Sequence, residues 1–177
     1  MTQGGLRGAV VALLVVVALL LQVSVFDHVA WDGVVPDLVL LVVVAGALVS
    51  GGQFGMVLGF CAGVLLDVVP PADHTVGRWA LALLLVGYVA GQVRPESGDQ
   101  RGRPPAMTVV ATVAGCSFVG TSVFALTGLL LHEDGADTGS MLQVVGIGLV
   151  WDVLLTPLVL PWTMALLRRL QPERVRA

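Results

Sequence analysis

The sequence predicts an all-α integral membrane protein, a bundle of six transmembrane helices, and three observations carry that prediction. Mean hydropathy is +0.94, with 56% hydrophobic and only 12% charged residues, far from the balance of a soluble domain. Apolar runs of about 20 residues, the length that crosses a hydrocarbon core of about 30 Å, fill nearly all of the 177 positions, so residues 1–177 read as one polytopic domain. The charges alternate as well: all nine basic residues are arginine, and they cluster in every second connection.

The first span is expected over 9–26, behind a short polar lead that holds only Arg7. A signal peptide is the competing reading, but no small-residue cleavage site follows, and DHVAWDGVVPD leads straight into another apolar run. That connection carries Asp27, His28, Asp32 and Asp37 and no arginine. From Leu38 to Val69 the only charge is Asp67, and one helix of that length would reach about 48 Å, too long for a single crossing. The chain must turn, and Ser50 to Gln53 is the only break, giving two short spans, 37–49 and 54–69, in a tight hairpin.

Paired prolines at 70 and 71 stop the third span. A fourth is expected over 76–93, containing Arg78, then a loop with Arg94, Arg101 and Arg103, and a fifth over 106–131. An acidic connection with Glu133, Asp134 and Asp137 leads to the sixth, 141–167, in which Pro157 and Pro161 should free the carbonyls of Val153 and Pro157 and bend the helix. The tail carries Arg168, Arg169, Arg174 and Arg176. Six crossings place eight of the nine arginines on one side, the cytoplasmic one by the positive-inside rule, with both termini. Were Leu38 to Val69 one span, the arginine loop and the tail would fall on opposite sides, so the charges support the hairpin independently of its length.

The most distinctive pattern is Gly51, Gly55, Gly59 and Gly63 at steps of four, followed by Asp67. Glycines so spaced give a helix a groove without side chains, where another backbone can approach closely although lipid cannot drive association. Each glycine costs about 1 kcal/mol in a helix interior, so the row implies packing, either within this chain or against a separate protein. Gly77, Gly87 and Gly91 in the fourth span and Gly115, Gly120 and Gly128 in the fifth repeat the theme.

A charge in mid-membrane costs at least about 2.5–3.5 kcal/mol, so Asp67, Arg78 and Asp152 each need an account. Asp67 and Arg78, at the ends of successive spans, are expected to pair with each other or with interfacial water and to fix how those helices meet. Asp152 stands one turn before Pro157; it reads either as a carboxyl bonded to Thr156 or freed backbone, or as a proton or ligand site, with no second acid or basic partner evident at its depth.

Nothing resembles a catalytic set: there is no HExxH and no glycine-rich phosphate loop ending in Lys-Ser or Lys-Thr. No enzyme activity and no cofactor are expected. The three histidines fall one per outer loop with no two at ligand spacing, so no metal site is expected either. Cys61 and Cys116 sit inside spans as packing residues. A net charge of -3 leaves no footprint for nucleic acid.

VPDLVLL at 35–41, GMVLGFCAGVLLDVV at 55–69 and HTVGRWALALLLVGYVAG at 74–91, in this order and spacing, resemble the MreD family of rod shape-determining membrane proteins. The closing WDVLLTPLVLPWTMALLRRL resembles that family's last helix. The GFxxGxLLD block is the most specific part, and Pro36, Asp37, Gly59, Phe60, Gly63, Asp67 and Gly77 are the matching positions. The chain departs from many members in its Gly- and Val-rich second and third spans and in lacking lysine. The resemblance implies a non-enzymatic multi-pass subunit of the cell-elongation machinery in the bacterial plasma membrane. It would bind MreC, and through it MreB, RodA and a class B penicillin-binding protein, coupling the cytoskeleton to peptidoglycan synthesis. It also implies a fold similar to the substrate-binding subunits of energy-coupling-factor transporters. The alternative function is a small-molecule transporter or its binding subunit, for which Asp152 and the proline-interrupted sixth helix are the argument.

Overall fold

The computed structural model describes residues 3–26, 30–69, 75–93, 105–131 and 138–170. Among these residues there are six α-helices: α1 (Gln3–Ser24), α2 (Leu38–Ser50), α3 (Gly52–Val68), α4 (Arg78–Gln92), α5 (Ala106–Leu130) and α6 (Thr138–Arg169). The arginine loop, the acidic connection before α6, the three histidines and the far end of the tail lie outside the described residues. Among the described residues there is no β-strand, only an isolated bridge between Trp31 and Val34.

Among the described residues three helices are long and apolar enough to cross a membrane: the α1 stretch Gly5–Ser24, α5, and Leu142–Arg169 of α6. The other three are shorter. Among these, α2 is the axle of the molecule. Every residue from Leu38 to Val49 is buried, and α2 packs against each of the other five helices. A helix apolar on all sides needs cover on all sides. Its neighbours supply it: α3 packs on α4, α4 on α5 and α5 on α6, while α1 lies along α2.

The surrounding helices are two-sided. On α1, Val11, Val15, Ala18, Leu19 and Gln22 turn inward at helical spacing, while Leu13, Val16, Leu20 and Val23 are exposed. On α3, Leu58, Ala62 and Asp67 are buried, whereas Val57, Phe60, Val64 and Val68 face outward. Exposed apolar surface of this extent would be a liability in water and suits lipid.

Both ends of α2 are tied down. At the carboxyl end, Gly51 takes φ +96 and separates α2 from α3 with no further linker, a conformation open to glycine without strain. Arg7 of α1 donates to the Ser50 hydroxyl and lies over the Phe54 ring, 4.5 Å from its centroid. The start of α1 and the α2–α3 turn are therefore on the same face. At the amino end of α2, the Asp37 carboxylate accepts from the Leu40 amide at 2.9 Å as an N-cap. Gln22 of α1 accepts from the Val39 amide at 3.3 Å, so α1 and α2 are antiparallel along their length.

The approach to α2 is a short hairpin. Asp32 and Gly33 both have positive φ, and Trp31 and Val34 exchange two backbone hydrogen bonds of 3.1 and 2.9 Å, the type I′ turn that an Asp-Gly pair favours. Gln143 of α6 donates to Asp32 at 2.9 Å, and five residues further on the Asp37 amide donates to Asp152 of α6 at 2.8 Å. Between these anchors α6 advances nine residues, about 13 Å. The segment before α2 thus runs alongside α6 into the body of the protein, and α2 begins well below the level of the turn. Irregular backbone at that depth is tolerated where protein surrounds it, and Pro36 and Asp37 are buried.

Candidate functional site

The glycine row forms a seam between α3 and α4. A Cβ placed on Gly55 would collide with the Gly87 carbonyl, with its carbon at 2.9 Å; one on Gly59 would lie 2.6 Å from the Leu83 carbonyl carbon, and one on Gly63 would strike the Trp79 carbonyl. The fit is reciprocal, since a Cβ on Gly87 would meet the Gly55 carbonyl and one on Gly91 would meet Gly52, with the Gly51 carbonyl carbon at 2.7 Å. Helix α4 occupies the groove from Gly52 to Gly63, which leaves it closed to any other chain. Phe60, on the opposite face of α3, is 48% exposed and takes no part. Backbones this close exclude lipid and bring many weak contacts within range at once.

Asp67 closes the seam at one end. It is 1% exposed; Oδ2 accepts from the amides of Gly77 at 2.9 Å and Ala80 at 3.1 Å, and Oδ1 from that of Trp79 at 3.1 Å. The N-cap of α4 is Gly77, in the left-handed region at φ +106 with no side chain to offer. Asp67 supplies from α3 the capping oxygens that α4 lacks, and its charge sits at the positive end of that helix.

Arg78 reaches the other way, to α5. Nη2 donates to the Phe124 carbonyl at 2.6 Å and Nε to the Thr127 hydroxyl at 3.3 Å, while the guanidinium lies 3.9 Å from the centre of the Phe124 ring. Gly128 is the space the guanidinium needs, since a Cβ there would lie 3.0 Å from Cζ. Trp79 stacks on Phe124 at 4.4 Å. Consecutive residues, Asp67-capped and aromatic-bound, thereby fasten α3, α4 and α5 together.

A second polar junction lies at the start of α2, and it corrects the reading of Asp152 as an acid without a partner at its depth. Asp152 is 1% exposed; Oδ1 accepts from the Asp37 amide at 2.8 Å and Oδ2 from the Ser117 hydroxyl at 2.7 Å. The Thr156 hydroxyl bonds the Asp152 backbone carbonyl, not its carboxylate. The missing second acid is Asp37, read from the sequence as the edge of an outer connection. Its Oδ2 is buried and makes no hydrogen bond among the described residues. Pro157 and Pro161 lie within α6, which continues as a helix through both.

Ser117, Gln22, Thr127 and Arg7 were not singled out by pattern. A serine or threonine in an apolar helix signals nothing on its own, since it can bond its own backbone, as Thr121 and Thr163 do here. The Asp32-Gly33 pair was a legible turn signal that apolar run lengths overshadowed. Among the described residues no group of three or more His, Cys, Asp or Glu could hold a metal ion.

A family model described as rod shape-determining protein MreD matches residues 5–170 of the chain. No curated protein and no solved structure matches it.

Proposed function

The chain belongs to the MreD family of rod shape-determining proteins, and from that premise we propose that it is a six-span, non-enzymatic scaffold of the cell-elongation machinery. It binds MreC and, through it, couples MreB to RodA, a class B penicillin-binding protein and peptidoglycan synthesis. The fold is of the kind found in substrate-binding subunits of energy-coupling-factor transporters, and both termini are in the cytoplasm of a bacterium, with the bundle in its inner membrane.

The observation that carries this reading is how the buried polar groups are used. Asp67, Arg78 and Asp152, the residues on which chemistry or transport would depend, are each directed at this protein's own backbone and hydroxyls. Such groups make a rigid platform. The surface left to a partner is then the outward apolar surface, which includes the faces of α1 and α3 with Leu13, Leu20, Val57 and Phe60, because α4 fills the glycine groove.

The test is co-purification of MreC with the full chain from detergent extracts, with wild type compared with Phe60→Ala, Leu13→Trp and Leu20→Trp. At least one of these faces should lose MreC with the melting temperature unchanged. A folded wild-type protein that retains no MreC, or one stabilised by a vitamin or metal ion at micromolar concentration, would overturn the scaffold reading.

A further inference from the structure

A trough of about 380 Å³ opens between α5 and α6, lined by Ala106, Val109 and Val110 on one side and by α6 from Thr156 to Arg168 on the other. On α6 its floor is Thr156, Leu160 and Met164, all buried, and its rim is Pro157, Pro161 and Ala165, all exposed. Prolines and an alanine at four-residue spacing carry no long side chain across the opening, so the trough stays uncovered along the helix. From Thr156 to Arg168 it runs about 18 Å, close to the ~15 Å depth of one leaflet's hydrocarbon. Its volume is near the low end of the ~300–1,000 Å³ of ligand sites, room for one extended chain.

Among the described lining residues the only charged one lies at one end of this trough, where it meets the start of a helix. Arg168 lines it from α6. Ala106 lines it from α5 and is the first residue of that helix, whose N-cap is Pro105, with no side-chain cap. An uncapped helix start presents backbone N–H groups and the positive end of the helix dipole, the arrangement that binds phosphate. Among the described residues that line the trough none is acidic.

We propose that this trough holds one anionic phospholipid, with an acyl chain against Leu160 and Met164 and its phosphate between Arg168 and the start of α5. The two chemistries are matched end to end: apolar length for one leaflet, then a cation and free amides at the depth of the headgroups. The proposal holds whichever face of the membrane that end occupies, and it is independent of the choice of protein partner.

The test uses the full chain purified in detergent, with phosphatidylglycerol and phosphatidylcholine of identical acyl chains as probes and native mass spectrometry to count retained lipid. Wild type should keep one phosphatidylglycerol in preference to phosphatidylcholine. Arg168→Gln should lower that occupancy about fivefold, the equivalent of the ~1 kcal/mol an arginine contributes near an anionic surface. Arg169→Gln, which alters the adjacent charge outside the trough, should leave it as in wild type. Ala165→Phe, at an exposed rim position, should lower retention of both lipids. Equal retention of the two lipids by wild type, or equal losses in the two arginine variants, would overturn the proposal. So would binding that requires removal of residues 171–177, since the chain's own tail would then be the occupant.

Discussion

Gly59→Ala isolates the seam between α3 and α4 in a single methyl group. In an open helix the change should stabilise by about 1 kcal/mol, because alanine is the better helix former. At Gly59 the new Cβ would sit 2.6 Å from the Leu83 carbonyl carbon, and that backbone group cannot rotate aside as a side chain would. The helices must separate, and a gap of only 0.5–1 Å forfeits roughly a quarter to a half of each contact along the seam. Overpacking of this kind costs about 1–3 kcal/mol. The control is Gly115→Ala on α5, where nothing lies within 4 Å of the added carbon. Thermal unfolding of the purified protein in detergent, followed by tryptophan fluorescence, should show Gly59→Ala melting about 2–12 °C lower and Gly115→Ala melting up to about 4 °C higher, at ~2–4 °C per kcal/mol for a chain of this size. Shifts of the same sign and size in both variants would refute the claim that the glycine row exists for close backbone contact.

The other perturbations follow from the polar junctions and from topology. Asp67→Asn keeps one accepting oxygen of two and should cost about 1–2 kcal/mol through weakened capping of α4, read as a lower melting temperature with unchanged helix content by circular dichroism. Asp152→Leu strands the Asp37 amide at the start of α2 and should cost about 1–3 kcal/mol, whereas Ser117→Ala, which leaves that amide bonded, should cost less than half as much. Single cysteines at Ser50 and Ala177, in a background lacking the native cysteines, should both react with an impermeant maleimide only when it is supplied from the cytoplasmic side. Labelling of position 177 from outside would overturn the six-span topology.

Six helices were legible in the sequence because their signals are strong and local: apolar run length, Pro70 and Pro71, and the Ser50 break that an overlong stretch demanded. Glycine spacing marked α3 as the closely packed helix for a physical reason, since only an absent side chain lets backbones touch. What it could not give was the partner, because a groove has the same sequence whether α4 or another protein fills it. The faces of α1 and α6 were illegible for a related reason. In lipid the outward residues are as apolar as the inward ones, so Leu13 and Val15 look alike although one is exposed and the other buried. The junction of Asp37 with Asp152 was missed because it joins positions 115 residues apart, and nothing local to either acid encodes the other. The pairing was hidden as well because the chain enters α2 by descending beside α6.

That descent bears on how the protein is made. Helix α2, at 13 residues, is about 20 Å long and too short to be held across a bilayer on its own, so it must enter the membrane paired with α3. The Asp152 carboxylate that accepts from the Asp37 amide, at the N-cap of α2, is translated more than a hundred residues later, and at ordinary elongation speeds of ~5–20 residues per second that is a wait of several seconds or more. During that interval the most apolar helix of the protein lacks the acceptor for the Asp37 amide at its start and has one flank uncovered. An insertion chaperone, or early contact with a neighbouring polypeptide, would have its greatest influence on yield in this window, before α6 arrives to lock the centre.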